Sequence, residues 1–212
     1  MFVADWMTRE VVTVAPDDSV AHAMHLMRDR KIKHLPVLKD GRLVGVISDR
    51  DIKAFAPSKA TALDVYEINY LLAKAKVAEA MTRAAVTAGP DTPVEEAARL
   101  MLEKNVGALP VLEGDILVGI ISDRDIFRAL VDISGVRHGG HRICVTLDDR
   151  PGSIREVTDV VRRHGFHIHG LLTSYEGVPA GMRRVVVRTS PEGDFPALKA
   201  ALEGAFRNVR IQ

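Results

Sequence analysis

Apolar positions along this chain fall into short alternating runs and helical stripes, and the same series occurs twice. Residues 11–14 are rich in β-branched side chains and stop at Pro16, which predicts a short strand. Val20, Ala23, Met24 and Met27 then recur at helical spacing. His34–Lys39 and Arg42–Ser48 read as two strands around Asp40-Gly41, a strong hairpin-turn pair. A further helix is expected from about Asp49. The series then repeats: Met7-Thr8-Arg9 returns as Met81-Thr82-Arg83, and Leu35-Pro36-Val37-Leu38 as Leu109-Pro110-Val111-Leu112. Pro16-Asp17 returns as Pro90-Asp91 and Asp51 as Asp125, always 74 residues on and without a gap. Roughly half the aligned positions are identical, which marks a true internal repeat. In the second copy Thr92-Pro93-Val94-Glu95 predicts a capping box with proline at the first helical position. Each copy thus predicts β-α-β-β-α, over residues 1–56 and 81–133.

Between the copies, residues 57–80 form a helical insert. Pro57-Ser58 breaks the chain, and residues 63–76 place Val65, Ile68, Leu71 and Leu72 on one helical face. After a helix running to about Ile133, residues 134–140 hold three glycines and read as a linker. From residue 141 the pattern changes. Ile143, Val145 and Leu147 alternate with Cys144 on the other face, predicting a strand at 142–147. A loop at 148–152 leads to a helix at 153–164, stopped by Gly165. Strands at 166–175 and 184–189, a glycine-containing loop at 176–181, a helix at 194–203 and a last strand at 207–211 complete residues 141–212. This β-α-β-β-α-β order is that of a ferredoxin-like fold, so the whole chain is expected to be α+β.

Composition narrows the function classes. A net charge of +1 gives no general pull toward nucleic acid or membrane. Lys and Arg are dispersed and no helix-turn-helix signature stands out. No apolar run approaches bilayer length, and the first residues lack a signal peptide's regions. One cysteine, Cys144, excludes an internal disulfide framework and any multi-cysteine metal site. A cytoplasmic protein is the simplest expectation.

The candidate chemistry lies in Gly45-Val46-Ile47-Ser48-Asp49-Arg50-Asp51-Ile52 and Gly119-Ile120-Ile121-Ser122-Asp123-Arg124-Asp125-Ile126. Each is a strand that runs into a helix start, where free backbone N–H groups and the helix dipole favour an anion. Ser48 and Ser122 are candidates to hold a phosphate, and Asp51 and Asp125 to hold a sugar diol. The same four residues also suit plain helix capping.

These paired motifs, with Leu-Pro-Val in each copy, resemble tandem CBS domains, which fold together as a Bateman module. The resemblance implies clefts for adenosine-containing ligands: AMP, ADP, ATP or S-adenosylmethionine, none of them obligatory. It implies that Ser48 and Ser122 contact phosphate and that Asp51 and Asp125 hold ribose, with Arg50 and Arg124 in the same motif. Thr13 and Thr87, with the strands starting at Pro36 and Pro110, are implied to face adenine. Asp149-Arg150-Pro151-Gly152-Ser153-Ile154 resembles the first loop of an ACT domain, which implies amino-acid binding near Asp149 and Gly152. The order CBS–CBS–ACT with Tyr66-Glu67-Ile68-Asn69-Tyr70-Leu71-Leu72 in the insert resembles the bacterial acetoin-utilisation regulatory proteins. That family is linked to control of a partner enzyme in acetoin or acetate metabolism. A homodimer is expected because the ACT sheet has one face for its helices and another with little bulk, and because CBS pairs tend to stack.

Sharper readings compete with plainer ones. Arg28, Arg30, Lys31, Lys33 and His34 complement a helix C-terminus. Lys33 and His34, just before Leu35-Pro36, are also candidates for a phosphate-binding edge of the first site. Their counterparts Gly107 and Ala108 carry no charge. His138, His141, His164, His167 and His169 cluster in sequence but lack a convergent metal-ligand spacing. Cys144 lacks any nucleophile signature. The expected function is therefore a non-catalytic ligand sensor. Its rivals are an enzyme built on Cys144 and the histidines, and a purely structural oligomerisation module.

Overall fold

The 74-residue spacing is kept element by element in the computed structural model, which describes residues 1–56 and 64–212. The first repeat holds α1 (Val3–Trp6), α2 (Val20–Arg30), β1 (His34–Lys39), β2 (Arg42–Ser48) and α3 (Asp49–Phe55). After α4 (Val65–Lys74) the second holds α5 (Val77–Ala80), α6 (Val94–Lys104), β3 (Ala108–Glu113), β4 (Ile116–Ser122) and α7 (Asp123–Ile133). The chain divides into two compact units, Met1–Ile126 and Phe127–Gln212.

In the first unit β1 pairs with β2, and β3 with β4, as antiparallel hairpins. Asp40 and Gly41 both take positive φ, 52° and 77°, as the tight turn requires. The strands expected at 11–14 and its counterpart shrink to single parallel bridges, Val14 to Val37 and Ala88 to Val111. The reason is chemical. Val14 donates to the Pro36 carbonyl and accepts from Leu38 N–H, but the next rung needs an N–H that Pro36 lacks. Pro110 stops the second copy in the same way, after accepting from Ala88 N–H.

Each repeat lends its first turn to the other. Val3 and Met7 are buried with Ala97, Leu109, Val111 and Ile121 of repeat two. Val77 is buried with Val20, Leu35, Val37 and Ile47 of repeat one. Thr8 bridges Ile120, and Thr82 bridges Val46. Gly45 permits this approach: a Cβ there would lie 2.7 Å from the Thr82 carbonyl oxygen. Gly119 faces the Met7 side chain in the same manner.

Two local expectations change. The capping box at residues 92–95 does not form. The Thr92 hydroxyl accepts from Gly89 N–H (3.0 Å), and Pro93 is the N-cap of α6 without a side-chain cap bond. In repeat one Ser19 occupies that position and does cap α2, accepting from His22 N–H at 3.1 Å. The insert helix is shorter than 63–76, because Asp64 and Glu67 close a capping box at its start. Leu72 is buried while Leu71 is exposed. Pro57, Ser58 and Leu63 lie outside the described residues, as do the side chains of Val65 and Ile68.

The second unit contains β5 (Arg142–Asp148), α8 (Ser153–Arg163), β6 (Ile168–Ser174), β7 (Met182–Thr189), α9 (Phe195–Ala205) and β8 (Arg210–Ile211). Its sheet order is β6-β7-β5-β8, antiparallel throughout. Ile143, Val145, Leu147, Val185 and Val187 face α8 and α9 and form the core with Val157, Val161, Leu198 and Leu202. β6 is shorter than expected because Phe166 turns into that core. β8 is shorter because Asn208 adopts φ 56°. β7 starts two residues earlier than expected, at Met182. Residues 134–140 pack within this unit, with Gly135 against the His169 backbone and Gly140 against Thr189.

Candidate functional site

Both repeated motifs build the same corner. Ser48 ends β2 in an extended conformation and caps α3, its hydroxyl accepting from Asp51 N–H at 3.2 Å. The Asp51 carboxylate reaches back, accepting from Ser48 N–H (2.7 Å) and from the Ser48 hydroxyl (2.6 Å). In repeat two Asp125 accepts from Ser122 N–H (2.9 Å) and from the Ser122 hydroxyl (2.7 Å). The capping box is thus closed in the first copy, and the second repeats the reach of its aspartate back to the serine. That reach also fixes each carboxylate at a helix start, with its orientation set before any ligand arrives.

A cavity of about 440 Å³ opens onto the second of these corners. One wall is Ala108, Ile120, Ser122, Asp123, Arg124 and Asp125. The opposite wall comes from repeat one: Thr8, Glu10, Val11 and Val12 on one stretch, and Lys31, Ile32, Lys33 and His34 on another. Its size falls in the range of small-ligand sites. It combines apolar Val11, Val12, Ile32 and Ile120 with two hydroxyls, three carboxylates and several cations, which suits a ligand with a flat apolar part, a diol and an anionic tail.

His34 sits at the centre of the pairing between repeats. A Cβ on Gly107 would meet its Cε1 and Nε2 at 3.0 Å, with Asp123 Oδ2 at 3.7 Å. Burial pushes the His34 imidazole below its usual range, and Arg50 acts in the same direction, while Asp123, Asp49 and Asp51 pull the other way. A side chain at 107 would press on this ring, which glycine leaves free to sit there.

Among the expected site residues, this cavity brings together Lys33, His34, Ala108, Ser122, Arg124 and Asp125. Lys33 and His34 therefore line the cleft of Ser122 and Asp125, although His34 pairs in the sheet with Ser48. Thr13, Pro36, Thr87 and Pro110 do not line it. The Pro36 and Pro110 carbonyls are used by Val14 and Ala88 N–H, and Val11 and Val12 form the wall instead of Thr13. Ser48, Arg50 and Asp51 belong to the other corner. The 74-residue spacing carries Lys31, Lys33 and His34 there onto Asn105, Gly107 and Ala108. The lining residues Thr8, Glu10, Val11, Val12, Lys31, Ile32, Ile120 and Asp123 were not singled out from sequence as site residues. The repeated Met-Thr-Arg was a usable signal for Thr8, since an isolated repeated hydroxyl beside a β-strand has no packing need.

In the second unit Asp149 forms an ion pair with Arg183, and Gly152 takes φ 87° as the N-cap of α8. The histidines are dispersed into packing roles. His138 stacks on His169 with centroids 4.9 Å apart, and His141 stacks on Phe195 at 4.0 Å. His164 Nδ1 lies 2.8 Å from the Val160 carbonyl. Among the described residues no group of three or more His, Cys, Asp or Glu is positioned for a metal, and no helix is long and apolar enough to cross a membrane.

Comparison with known proteins places this geometry. The chain is 30% identical over 188 residues to an inosine-5'-monophosphate dehydrogenase of Korarchaeum cryptofilum, covering 85% of this chain but 35% of that enzyme. It thus spans about a third of that relative's length. A solved structure of CBSX2 in complex with AMP matches 62% of this chain and 97% of its own, at 33% identity and TM-score 0.51. The CBS pair of protein MJ0100, in complex with 5-methylthioadenosine and S-adenosyl-L-methionine, matches 61% and 95%, at 28% identity and TM-score 0.51. The acetoin utilization protein AcuB of Vibrio cholerae matches 65% and 95%, at 28% identity and TM-score 0.54. The CBS domain model matches residues 3–57 and 77–132, together more than half the chain, so the protein belongs to the CBS domain family with the two copies in tandem.

Proposed function

We propose that the tandem CBS pair is a non-catalytic sensor of adenosine ligands, with AMP, ADP, ATP and S-adenosylmethionine as the candidates. The observation that carries this reading is the cavity whose wall is the Ser122–Asp125 helix start and whose rim holds Lys31, Lys33 and His34. The helix start offers N–H groups to a phosphate, the cations add charge-assisted bonds, and Asp125 accepts from ribose hydroxyls. Ser48, Arg50 and Asp51 serve a second ligand. The AMP, methylthioadenosine and S-adenosylmethionine named for two structural neighbours support the ligand class.

The second unit is read as an ACT domain of ferredoxin-like topology, supported by its β-α-β-β-α-β order and its sheet order. In this reading residues 1–56 and 81–133 are the CBS copies, 57–80 the insert, 134–140 the connection and 141–212 the ACT domain. Dimerisation and amino-acid binding at the Asp149–Gly152 loop belong to that domain. The likeness to AcuB supports a cytoplasmic regulator of a partner enzyme in acetoin or acetate utilisation. Regulation requires that the ligand bind two states with different affinity. Calorimetry of the purified chain against AMP, ADP, ATP and S-adenosylmethionine tests the reading. Saturable binding that loses one site in Ser122→Ala/Asp125→Ala supports it, and no heat with any of the four overturns it.

A further inference from the structure

The face of the C-terminal sheet turned away from α8 and α9 carries a group of arginines that the reading above does not use. Strand alternation and register define it. One row across the sheet is Gly170, Arg188 and Arg142, the last paired through backbone bonds with Gln212. The next is Leu172, Val186, Cys144 and Arg210. Arg142 and Arg188 stand directly opposite each other, where Cβ atoms lie about 5 Å apart, and Arg210 is a diagonal neighbour of Arg142. Like charges so placed destabilise a sheet. Other arginines of this unit are engaged: Arg183 with Asp149, Arg150 with Glu156, Arg184 with the Gly177 carbonyl. Arg142, Arg188 and Arg210 make no such bond among the described residues. The one carboxylate on this face of the strands is Asp148, six residues along β5 from Arg142, or about 20 Å.

We propose that this face is a binding site for a small phosphorylated anion, held by Arg142, Arg188 and Arg210 over an apolar floor of Leu172, Val186 and Cys144. Three guanidinium forks offer more donors than one carboxylate can accept, and they match the several oxygens of a phosphoryl or pyrophosphoryl group. Single-stranded nucleic acid is a poorer fit, because this face has no aromatic side chain on which a base could stack. A second copy of the same face is a poorer fit, since a two-fold contact would gather six arginines with few carboxylates to neutralise them. The site is separate from the CBS clefts and does not depend on their ligand.

Cys144, half-buried between Val186 and Arg210, is a built-in reporter. The test uses the whole 212-residue chain, inorganic pyrophosphate as probe, sodium chloride at matched ionic strength as control, and alkylation of Cys144 by neutral N-ethylmaleimide as readout. Pyrophosphate is expected to slow alkylation in the wild type and equally in Asp51→Ala/Asp125→Ala. Arg142→Gln and Arg188→Gln should each weaken the apparent affinity by about tenfold, and Arg142→Lys should fall between. Melting curves without ligand should show no loss of stability in the Gln variants, because each removes a repulsion. The proposal is overturned by equal protection in the Arg variants. It is equally overturned if protection vanishes in the cleft variant, or if a single-stranded oligonucleotide or an acidic peptide protects and pyrophosphate does not.

Discussion

At the residue scale, the two capping aspartates have a structural duty and, in the proposed function, a ligand-binding one that the same substitution would remove. Asp51 and Asp125 each tie a serine at a helix start, so either change to Ala should cost about 1 kcal/mol of stability. A hydrogen bond from ribose to a carboxylate is worth about 1.5–3 kcal/mol, so nucleotide affinity should fall by roughly ten- to a hundredfold. The ribose contribution separates from the cap through 2′,3′-dideoxy-AMP: the wild type should discriminate against it, and Asp51→Ala/Asp125→Ala should not. Indifference of the wild type to the missing hydroxyls would remove the assignment. His34 supplies a second prediction. Its imidazole is depressed by burial despite Asp123, Asp49 and Asp51 nearby. On acidification the unfolded chain therefore takes the proton first. The stabilising contribution is full above about pH 6.5 and is lost as pH falls toward the lower folded value. A phosphate beside the ring works in the opposite sense, raising its proton affinity, so binding should draw in a proton and tighten as pH falls from 8 to 6. Calorimetric enthalpies that change with buffer ionisation heat in the wild type, and less so in His34→Ala, are the expected result. Because Lys33 and His34 line the Ser122 cleft, that cleft should prefer ADP over AMP more strongly than the Ser48 cleft does. Lys33→Gly/His34→Ala should erase the difference.

At the element scale, the exchange of first turns between repeats makes an unusual demand on mutational data. Val3 is wholly buried in the core of repeat two, and Val77 in that of repeat one. Val→Ala at either removes two methyl groups and leaves a cavity, at a cost of about 2 kcal/mol. Hydrogen exchange should report the loss across the gap in sequence: Val3→Ala should loosen β3 and β4, and Val77→Ala should loosen β1 and β2. Loosening confined to the mutated repeat would contradict the exchange. This feature explains where sequence reading stopped. The hairpins and the helices that follow were legible to the residue, because Asp40-Gly41 and the period-2 runs specify them locally. The strand at 11–14 was not, because its second rung depends on an N–H missing from Pro36, a partner residue across the fold. Ser48 and Asp51 were legible as a helix start for the same local reason. The opposite wall of the cleft was not: Thr8, Lys31 and Lys33 reach Ser122 only through the way the repeats pair. The sequence alone therefore places Lys33 and His34 by the first corner, beside which His34 does pair with Ser48, while the cavity they line is that of Ser122.

At the scale of the whole molecule, the remaining question is association. The sheet face opposite α8 and α9 is set with arginines, so it offers no self-complementary surface for a pair of these chains. α7 offers one. It carries Phe127, Leu130 and Ile133 at 64%, 49% and 40% exposure, spaced three residues apart and hence on one side of the helix. Large apolar side chains aligned in this way suit a contact with another protein, and a two-fold pairing of α7 with itself would cover them without opposing like charges at these positions. The chain is expected to sediment as a dimer or larger at micromolar concentration, and Leu130→Asp should shift it toward monomer. Because α7 begins beside Ser122, a ligand that orders its first turn acts on the same helix that pairs. If the two are coupled, nucleotide must change the dissociation constant of the dimer, and dimerisation must change nucleotide affinity by the same factor. Sedimentation across a concentration series with and without AMP measures the first, and calorimetry on wild type and Leu130→Asp measures the second. A wild-type chain that is monomeric at these concentrations defeats the association argument. Equal factors in the two experiments would establish α7 as the element through which the clefts are read, and a dimer constant indifferent to AMP would place the output elsewhere.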